Sequence, residues 1–279
     1  MDIQWFPGHM KEAGQFLKTS IASSDLVMEI LDARLPLSSS NPMLDKLCRN
    51  TPRVKVLNKK DLADPVVTQM WLDYFKFEKK ESAIAVTGID RTDAWCAADF
   101  AFKKLKKRQS RRIKTIIAGI PNTGKSSIIN SLAGRKVAKT GNVPAVTRQN
   151  QRTGLKNGMD IYDTPGILWP VLDDKEGACR LAASGAISDS IIDYYDIACF
   201  AADFLIEAYP VLLRTRYKIK ENIILDSTLL LEIIGAKRGC LKKGGIIDLQ
   251  KASEIFIREL RSGLIGRISF EKPLTLKSP

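Results

Sequence analysis

An α/β fold with a doubly wound, mostly parallel sheet, followed by an all-α segment, is the architecture this 279-residue sequence predicts. Three observations predict it. Short apolar runs ending in polar motifs recur through the first part of the chain, helical periodicity separates them, and beyond about residue 175 strand signals fade while helical periodicity persists.

Taken in order, the runs 26–31 before Asp32, 54–57 before Asn58 and 83–86 before Thr87 have the length and branched composition of parallel strands covered on both faces. Runs 113–119 and 159–163 share that form, and the stretches 65–75 and 125–132 supply helices between them. In such sheets ligands bind beyond the carboxyl ends of the strands, where all the polar motifs of this chain fall. Stretches 178–187, 196–208, 227–234 and 248–261 read as helices, with Asp226-Ser227 as an N-cap and Gly235, Gly239, Gly244, Gly245 and Gly263 as turns or C-caps. The expected division is an α/β domain over 1–175 and a helical domain over 176–279.

A hydrophobic content of 44% suffices for a buried core. The sequence has no apolar run of membrane-spanning length and no signal-peptide pattern, so a soluble, cytoplasmic protein with no membrane partner is expected. Cys48, Cys96, Cys179, Cys199 and Cys240 are scattered without a C-x-x-C pair, and the chain has one histidine, so buried reduced thiols are expected and not a metal cluster. Lys and Arg outnumber Asp and Glu 44 to 31, and the net charge of +13 points to a polyanionic partner, nucleic acid first.

The segment from 113 to Ser126 reads as strand, glycine-rich loop and helix start, the context a phosphate-binding loop requires. Pro121, Asn122, Thr123, Gly124, Lys125, Ser126 and Ser127 are expected around the phosphates, with Lys125 reaching the β and γ phosphates and Ser126 on Mg²⁺. A plain glycine turn capping a helix is the alternative. Asp163 ends a strand, where its carboxylate would hold Mg²⁺ through water, and the amide of Gly166 would sense the γ-phosphate; otherwise Thr164-Pro165-Gly166 is an ordinary turn. Thr147 is assigned to complete the Mg²⁺ shell with GTP bound, though Thr140 and Thr153 are nearby. Asn122 has two readings, shaping the turn or binding a monovalent cation such as K⁺.

Asn58-Lys59-Lys60-Asp61 stands at another strand end. A carboxylate at Asp61 accepts hydrogen bonds from N1 and N2 of guanine, which adenine does not offer, and Lys59 packs over the base. Asn58 and Thr87 are assigned to the same base site. Read blandly, this is a solvated turn with Asp61 as an N-cap. The order of motifs is inverted relative to most GTPases, because the base motif precedes the phosphate loop and Asp163-Thr164-Pro165-Gly166 follows both. One site from three such motifs implies a circularly permuted P-loop GTPase domain.

Ile167 follows Gly166, where many GTPases carry a glutamine that orients the attacking water. His9, in Trp5-Phe6-Pro7-Gly8-His9-Met10, is the candidate to replace it, since a helix N-terminus would favour the neutral imidazole. The alternative is a loop histidine that ties down the N-terminal arm.

The combination of Trp5-Phe6-Pro7-Gly8-His9-Met10, Asp32-Ala33-Arg34, Asn41-Pro42, the permuted motifs and Asp163-Thr164-Pro165-Gly166-Ile167-Leu168-Trp169-Pro170 resembles the ribosome biogenesis GTPase A family, also called YlqF-type. Lys237-Arg238-Gly239-Cys240-Leu241, Gly244-Gly245 and Gly266-Arg267 resemble its C-terminal signature, so the likeness runs nearly end to end. The resemblance implies a GTPase acting late in assembly of the large (50S) ribosomal subunit, with a helical RNA-binding domain and precursor rRNA and ribosomal proteins as partners. It also implies GTP hydrolysis that is slow alone, stimulated by the subunit and timed to release, with His9 catalytic. Ala145 stands where the family usually has glycine, and the loop after Val86 lacks the usual serine-rich form. The protein is expected to act as a monomer.

Lys103, Lys104, Lys106, Lys107, Arg108, Arg111, Arg112 and Lys114 form the densest basic run, either a solvated connecting helix with an Asp99–Lys103 pair or a phosphate contact. Lys237, Arg238, Lys242 and Lys243, in a glycine-rich turn, are assigned to RNA binding. A nucleotide-gated RNA-binding placeholder with incidental turnover is the rival function. A permuted GTPase of the small subunit is disfavoured, since that related group carries an OB-fold and a zinc site and this chain has no zinc-ligand cluster.

Overall fold

The computed structural model describes residues 7–105 (backbone alone for 7–13), 111–138, 152–166, 168 and 174–273. Strands β1 (Leu26–Asp32), β2 (Arg53–Asn58), β3 (Ser82–Val86), β4 (Ile113–Ala118), β5 (Arg152–Gly154) and β6 (Met159–Asp163) form one sheet ordered β3-β2-β1-β4-β6-β5. All neighbours run parallel except β5 on β6. The three-residue β5 at the edge has no counterpart in the sequence reading, because so short a polar strand carries no periodic signal.

Every residue of β1 is buried, as a central strand covered on both faces requires. Leu26, Met28 and Ile30 face a core with the alanines of α4 (Arg91–Lys103) and with Ile128, Ile129 and Leu132 of α5 (Lys125–Ala133). On the other face, Val27 packs with Leu17 and Ile21 of α1 (Pro7–Ala22) and Leu44 of α2 (Pro42–Leu47), and Leu31 with Val67 and Trp71 of α3 (Pro65–Asp73). Helix α3 stops two residues short of the expected end and continues as a π-helical turn over Tyr74–Glu78.

Helices α6 (Lys175–Ser184), α7 (Tyr194–Ala208), α8 (Pro210–Tyr217), α9 (Ser227–Arg238) and α10 (Leu249–Arg261) pack around a second core. Leu35, Ile120 and Leu168 contribute to that core from the sheet side. The expected helix 178–187 instead ends at Ser184, because Gly185 adopts a left-handed φ of 84° that closes α6. Gly235, expected as a turn, lies inside α9 where a Cβ would sit 2.5 Å from Ile247 Cγ2; the helix runs on to the left-handed Gly239. Asp226 is the N-cap of α9, its carboxylate accepting from the Leu229 amide.

The basic run forms no connecting helix of its own among the described residues. Helix α4 ends at Lys103, and Asp99 accepts from Asn157 Nδ2 at 3.1 Å. Arg111 pairs with Asp25 at 2.7 Å, Arg112 with Asp160 at 2.7 Å, and Lys114 Nζ donates to Ser23 Oγ at 2.7 Å. Lys106, Lys107 and Arg108 lie outside the described residues. Of the cysteines, only Cys240 is fully buried, and Cys96 is exposed. No described helix is long and apolar enough to cross a membrane.

Candidate nucleotide site

Asn58 closes β2, and register with β1 and β3 sets Asp32 and Val86 beside it. Its Nδ2 donates to Thr123 O at 2.7 Å, and its Oδ1 accepts from Gly88 N at 2.7 Å. One buried carboxamide thus ties the base motif to the phosphate loop and to the loop after β3. Assigned to the base site from sequence, Asn58 spends its carboxamide on these two loops and so braces the loop that carries Lys59 and Asp61. Gly124 makes the tie possible: its φ is 91°, and a Cβ there would lie 2.2 Å from Asn58 Nδ2.

The phosphate loop leaves β4 at Gly119 and enters α5 at Lys125, so the first amides of that helix open toward the loop. Thr123 Oγ1 donates to Ile120 O at 3.1 Å and stiffens the turn. Lys125 Nζ donates to Gly119 O at 3.1 Å and Ile120 O at 2.7 Å, inside the loop that it serves. Burial pushes its pKa down to about 8 against the opposing attraction of Asp163. A buried ammonium among carbonyl oxygens is poised for anionic phosphate. Gly166 passes so close that a Cβ would meet Pro121 N at 2.8 Å and Lys125 Nζ at 2.9 Å, so the Asp163–Gly166 turn abuts the loop. Ser126 and Ser127 occupy the first turn of α5.

Asp163 is buried at the end of β6, next to the Thr164 hydroxyl that donates to Ile117 O at 2.8 Å. A buried strand-end carboxylate with the Ser126 hydroxyl is the hard oxygen set that suits Mg²⁺, which supplies charge neutralisation on the phosphates when bound. Among the described residues no group of three or more His, Cys, Asp or Glu could hold a metal ion. Thr147 lies outside the described residues, as does Ile167. His9 falls in the first turn of α1.

At the base motif, Lys59 takes a left-handed φ of 63° and its Nζ donates to Asp32 Oδ2 at 2.8 Å. Asp32 also receives Arg34 Nε at 3.0 Å and Nη2 at 2.8 Å. Burial alone would raise the Asp32 carboxyl, but the Arg34 and Lys59 cations outweigh it and hold the group well below the usual carboxylate range. Burial lowers the Lys59 pKa, with Asp32 opposing. The Asp61 side chain is exposed, in the loop that follows. Thr87 N donates to Asp93 Oδ2 at 2.8 Å, and Lys60 Nζ pairs with the same oxygen at 2.7 Å.

Sequence reasoning missed Asp93 as the anchor of Thr87. The signal was available, since Asp90 and Asp93 have capping-box spacing at the start of α4 and the Asp90 carboxylate accepts from Asp93 N at 2.9 Å. The four residues assigned to RNA stand apart from these loops, in the last turn of α9 and the hairpin that follows, closed by the Leu241–Ile247 bridge. All four are exposed; Arg238 pairs with Glu259 at 2.6 Å, and Lys242 lies 3.7 Å from Asp248.

A strand-to-helix phosphate loop, a strand-end carboxylate for Mg²⁺ and an Asn-Lys-x-Asp loop gathered at the carboxyl ends of β4, β6 and β2 define a P-loop GTPase of permuted motif order. The family described as "50S ribosome-binding GTPase" matches residues 114–231. Ribosome biogenesis GTPase A of Bacillus cereus is 44% identical over 98% of this chain and 95% of its own length. Its counterpart in Thermotoga maritima is 33% identical over 97% of this chain and 95% of its own. The crystal structure of GNP-bound YlqF from T. maritima, 28% identical, superposes with a TM-score of 0.68 over 95% of this chain and 100% of that one. This chain belongs to the ribosome biogenesis GTPase A family and hydrolyses GTP to GDP and phosphate with Mg²⁺.

Proposed function

We propose that this GTPase acts in late maturation of the large (50S) ribosomal subunit, bound to the precursor with GTP and released when GTP is hydrolysed. The observation that carries this reading is the join between phosphate loop and helices. Ile120 of the loop is buried in the core of the helical region, and Asn122 Nδ2 donates to Gly185 O at 2.7 Å where α6 ends. A change at the γ-phosphate therefore acts directly on the helices that carry Lys237, Arg238, Lys242 and Lys243. Those four residues contact rRNA, and residues 1–175 and 176–279 serve as GTPase and RNA-binding units of a cytoplasmic monomer.

Asn58, Lys59, Asp61 and Thr87 form the guanine-base site, Asn58 by bracing its loops; residues Pro121 to Ser127 and Gly166 take the phosphates. Ser126, Asp163 and, with GTP bound, Thr147 complete the Mg²⁺ shell. His9 orients the attacking water in place of the absent glutamine, and its position in the first turn of α1 favours the neutral imidazole. For Asn122, the left-handed φ of 59° and the bond to Gly185 support the turn-shaping reading. A K⁺ ligand would use the remaining carboxamide oxygen, and hydrolysis faster in potassium than in sodium would mark it.

The test is release of His9→Ala from large subunits. If hydrolysis times release, this variant binds GTP and the subunit, turns GTP over slowly and stays bound. Release at the normal rate by a variant that does not hydrolyse would leave the placeholder reading in its place.

A further inference from the structure

The loop that presents Asp61 is held from the far end of the chain. Arg267 Nη2 donates to Lys60 O at 2.8 Å and its Nε to Ala63 O at 2.9 Å. Between them, Ile268 N donates to Leu62 O at 3.0 Å. Asp64 N donates to Ser269 Oγ at 3.2 Å, and the Asp64 carboxylate accepts from Tyr209 Oη at 3.1 Å. Every residue from 60 to 64 except Asp61 is thus bonded to the segment 267–269 or to Tyr209. The strap then runs on, Phe270 N donating to Arg34 O at 2.7 Å beside the Asp32–Lys59 pair.

Recognition of guanine by a carboxylate requires both oxygens aimed at N1–H and N2–H in one geometry. A loop left to order itself on binding would lose affinity to that ordering, and it would lose most for the ligand that demands the tightest geometry. We propose that Arg267 is a positioning residue for guanine selectivity: by clamping the Lys60 and Ala63 carbonyls on either side, it presets the Asp61 carboxylate. The inference rests on the reading of Asp61 as the base-binding carboxylate. It makes base selectivity a property of the helical half of the molecule as well as of the sheet.

The experiment measures Kd for GDP and for IDP, whose base lacks the 2-amino group, with wild type, Arg267→Ala and Arg267→Lys in the full chain. Removing the clamp is expected to weaken GDP about tenfold and IDP only about two- to threefold, so the GDP-to-IDP preference contracts. Arg267→Lys, which retains a cation for one carbonyl, restores part of the preference. Equal losses for the two nucleotides would overturn the proposal, since that is what a merely structural role produces. Should Arg267→Ala fail to fold, Arg267→Lys carries the test alone: a smaller contraction supports the proposal and an unchanged ratio overturns it. Asp61→Asn, assayed with GDP and XDP, separates the two levels. If it shifts preference to XDP while the Arg267 variants keep the wild-type ratio, only the positioning role fails; if it still prefers GDP, the base reading fails and takes the proposal with it.

Discussion

Raising the pH above neutrality should weaken nucleotide binding and strengthen the nucleotide-free fold, both through Lys125. This ammonium is 7% exposed, donates to the Gly119 and Ile120 carbonyls, and has its pKa lowered from the ordinary 10.5 to about 8 by burial. That lowering corresponds to about 3 kcal/mol against the charged form. Below its folded pKa, Lys125 is protonated in both folded and unfolded chains, and the full penalty of burying the charge is present. Between about 8 and 10.5 the unfolded chain still holds a proton that the folded protein has lost, so stability rises with pH across that window and levels off above it. Phosphate reverses the balance by supplying the missing negative charge, so nucleotide binding keeps or restores the proton. At about pH 9.5 GDP binding should take up close to one proton and be roughly thirtyfold weaker than at about pH 7, where uptake is near zero. Titration calorimetry of GDP in buffers of different ionisation enthalpy measures both quantities. Affinity that stays flat to about pH 9.5 with no proton uptake would refute the assignment of Lys125 as the buried phosphate ligand.

Asn58→Ala strips the partners from Thr123 O and Gly88 N, two backbone groups in the buried seam between loops, and should cost about 2–4 kcal/mol in urea unfolding with a parallel loss of GDP affinity. A change below about 0.5 kcal/mol, as for an exposed polar residue, would contradict the clamp. Replacing Lys237, Arg238, Lys242 and Lys243 by glutamine should flatten the salt dependence of large-subunit binding, each lost phosphate contact lowering the log–log slope by about 0.7–0.9. Arg238 and Lys242 already face Glu259 and Asp248, so Lys237 and Lys243 should account for most of the change; an unaltered slope would remove this surface from the RNA contact.

Much of the fold was legible because buried parallel strands read as short, largely apolar runs that end in polar motifs, as β1, β2 and β4 do, and the half-buried edge strand β3 keeps the same form. The motifs at their ends were legible because each residue type is tied to a chemistry. Charges inside strands were not, and the buried Glu29–Lys55 pair at 2.9 Å on β1 and β2 is an example, since alternation reports burial and says nothing of a partner across the sheet. Gly235 was misread because a glycine demanded by close packing on Ile247 looks like one demanded by a turn. The carboxamide partners of Asn58, Thr123 and Gly88, lie 65 and 30 residues away, so its tie between the loops left no local signal. The strap on the Asp61 loop is the extreme case: Arg267 reaches the Lys60 carbonyl across 207 residues, and a side chain bonded to distant backbone leaves no periodicity to read.

GTP hydrolysis by the free protein, with mature large subunits and with mature small subunits, measured in parallel, bears most directly on the central claim. Slow turnover alone and with small subunits, and a marked rise with large subunits only, is the result predicted for a timer whose phosphate loop is built into an RNA-binding helical region. Stimulation by small subunits alone, or by neither, would contradict it.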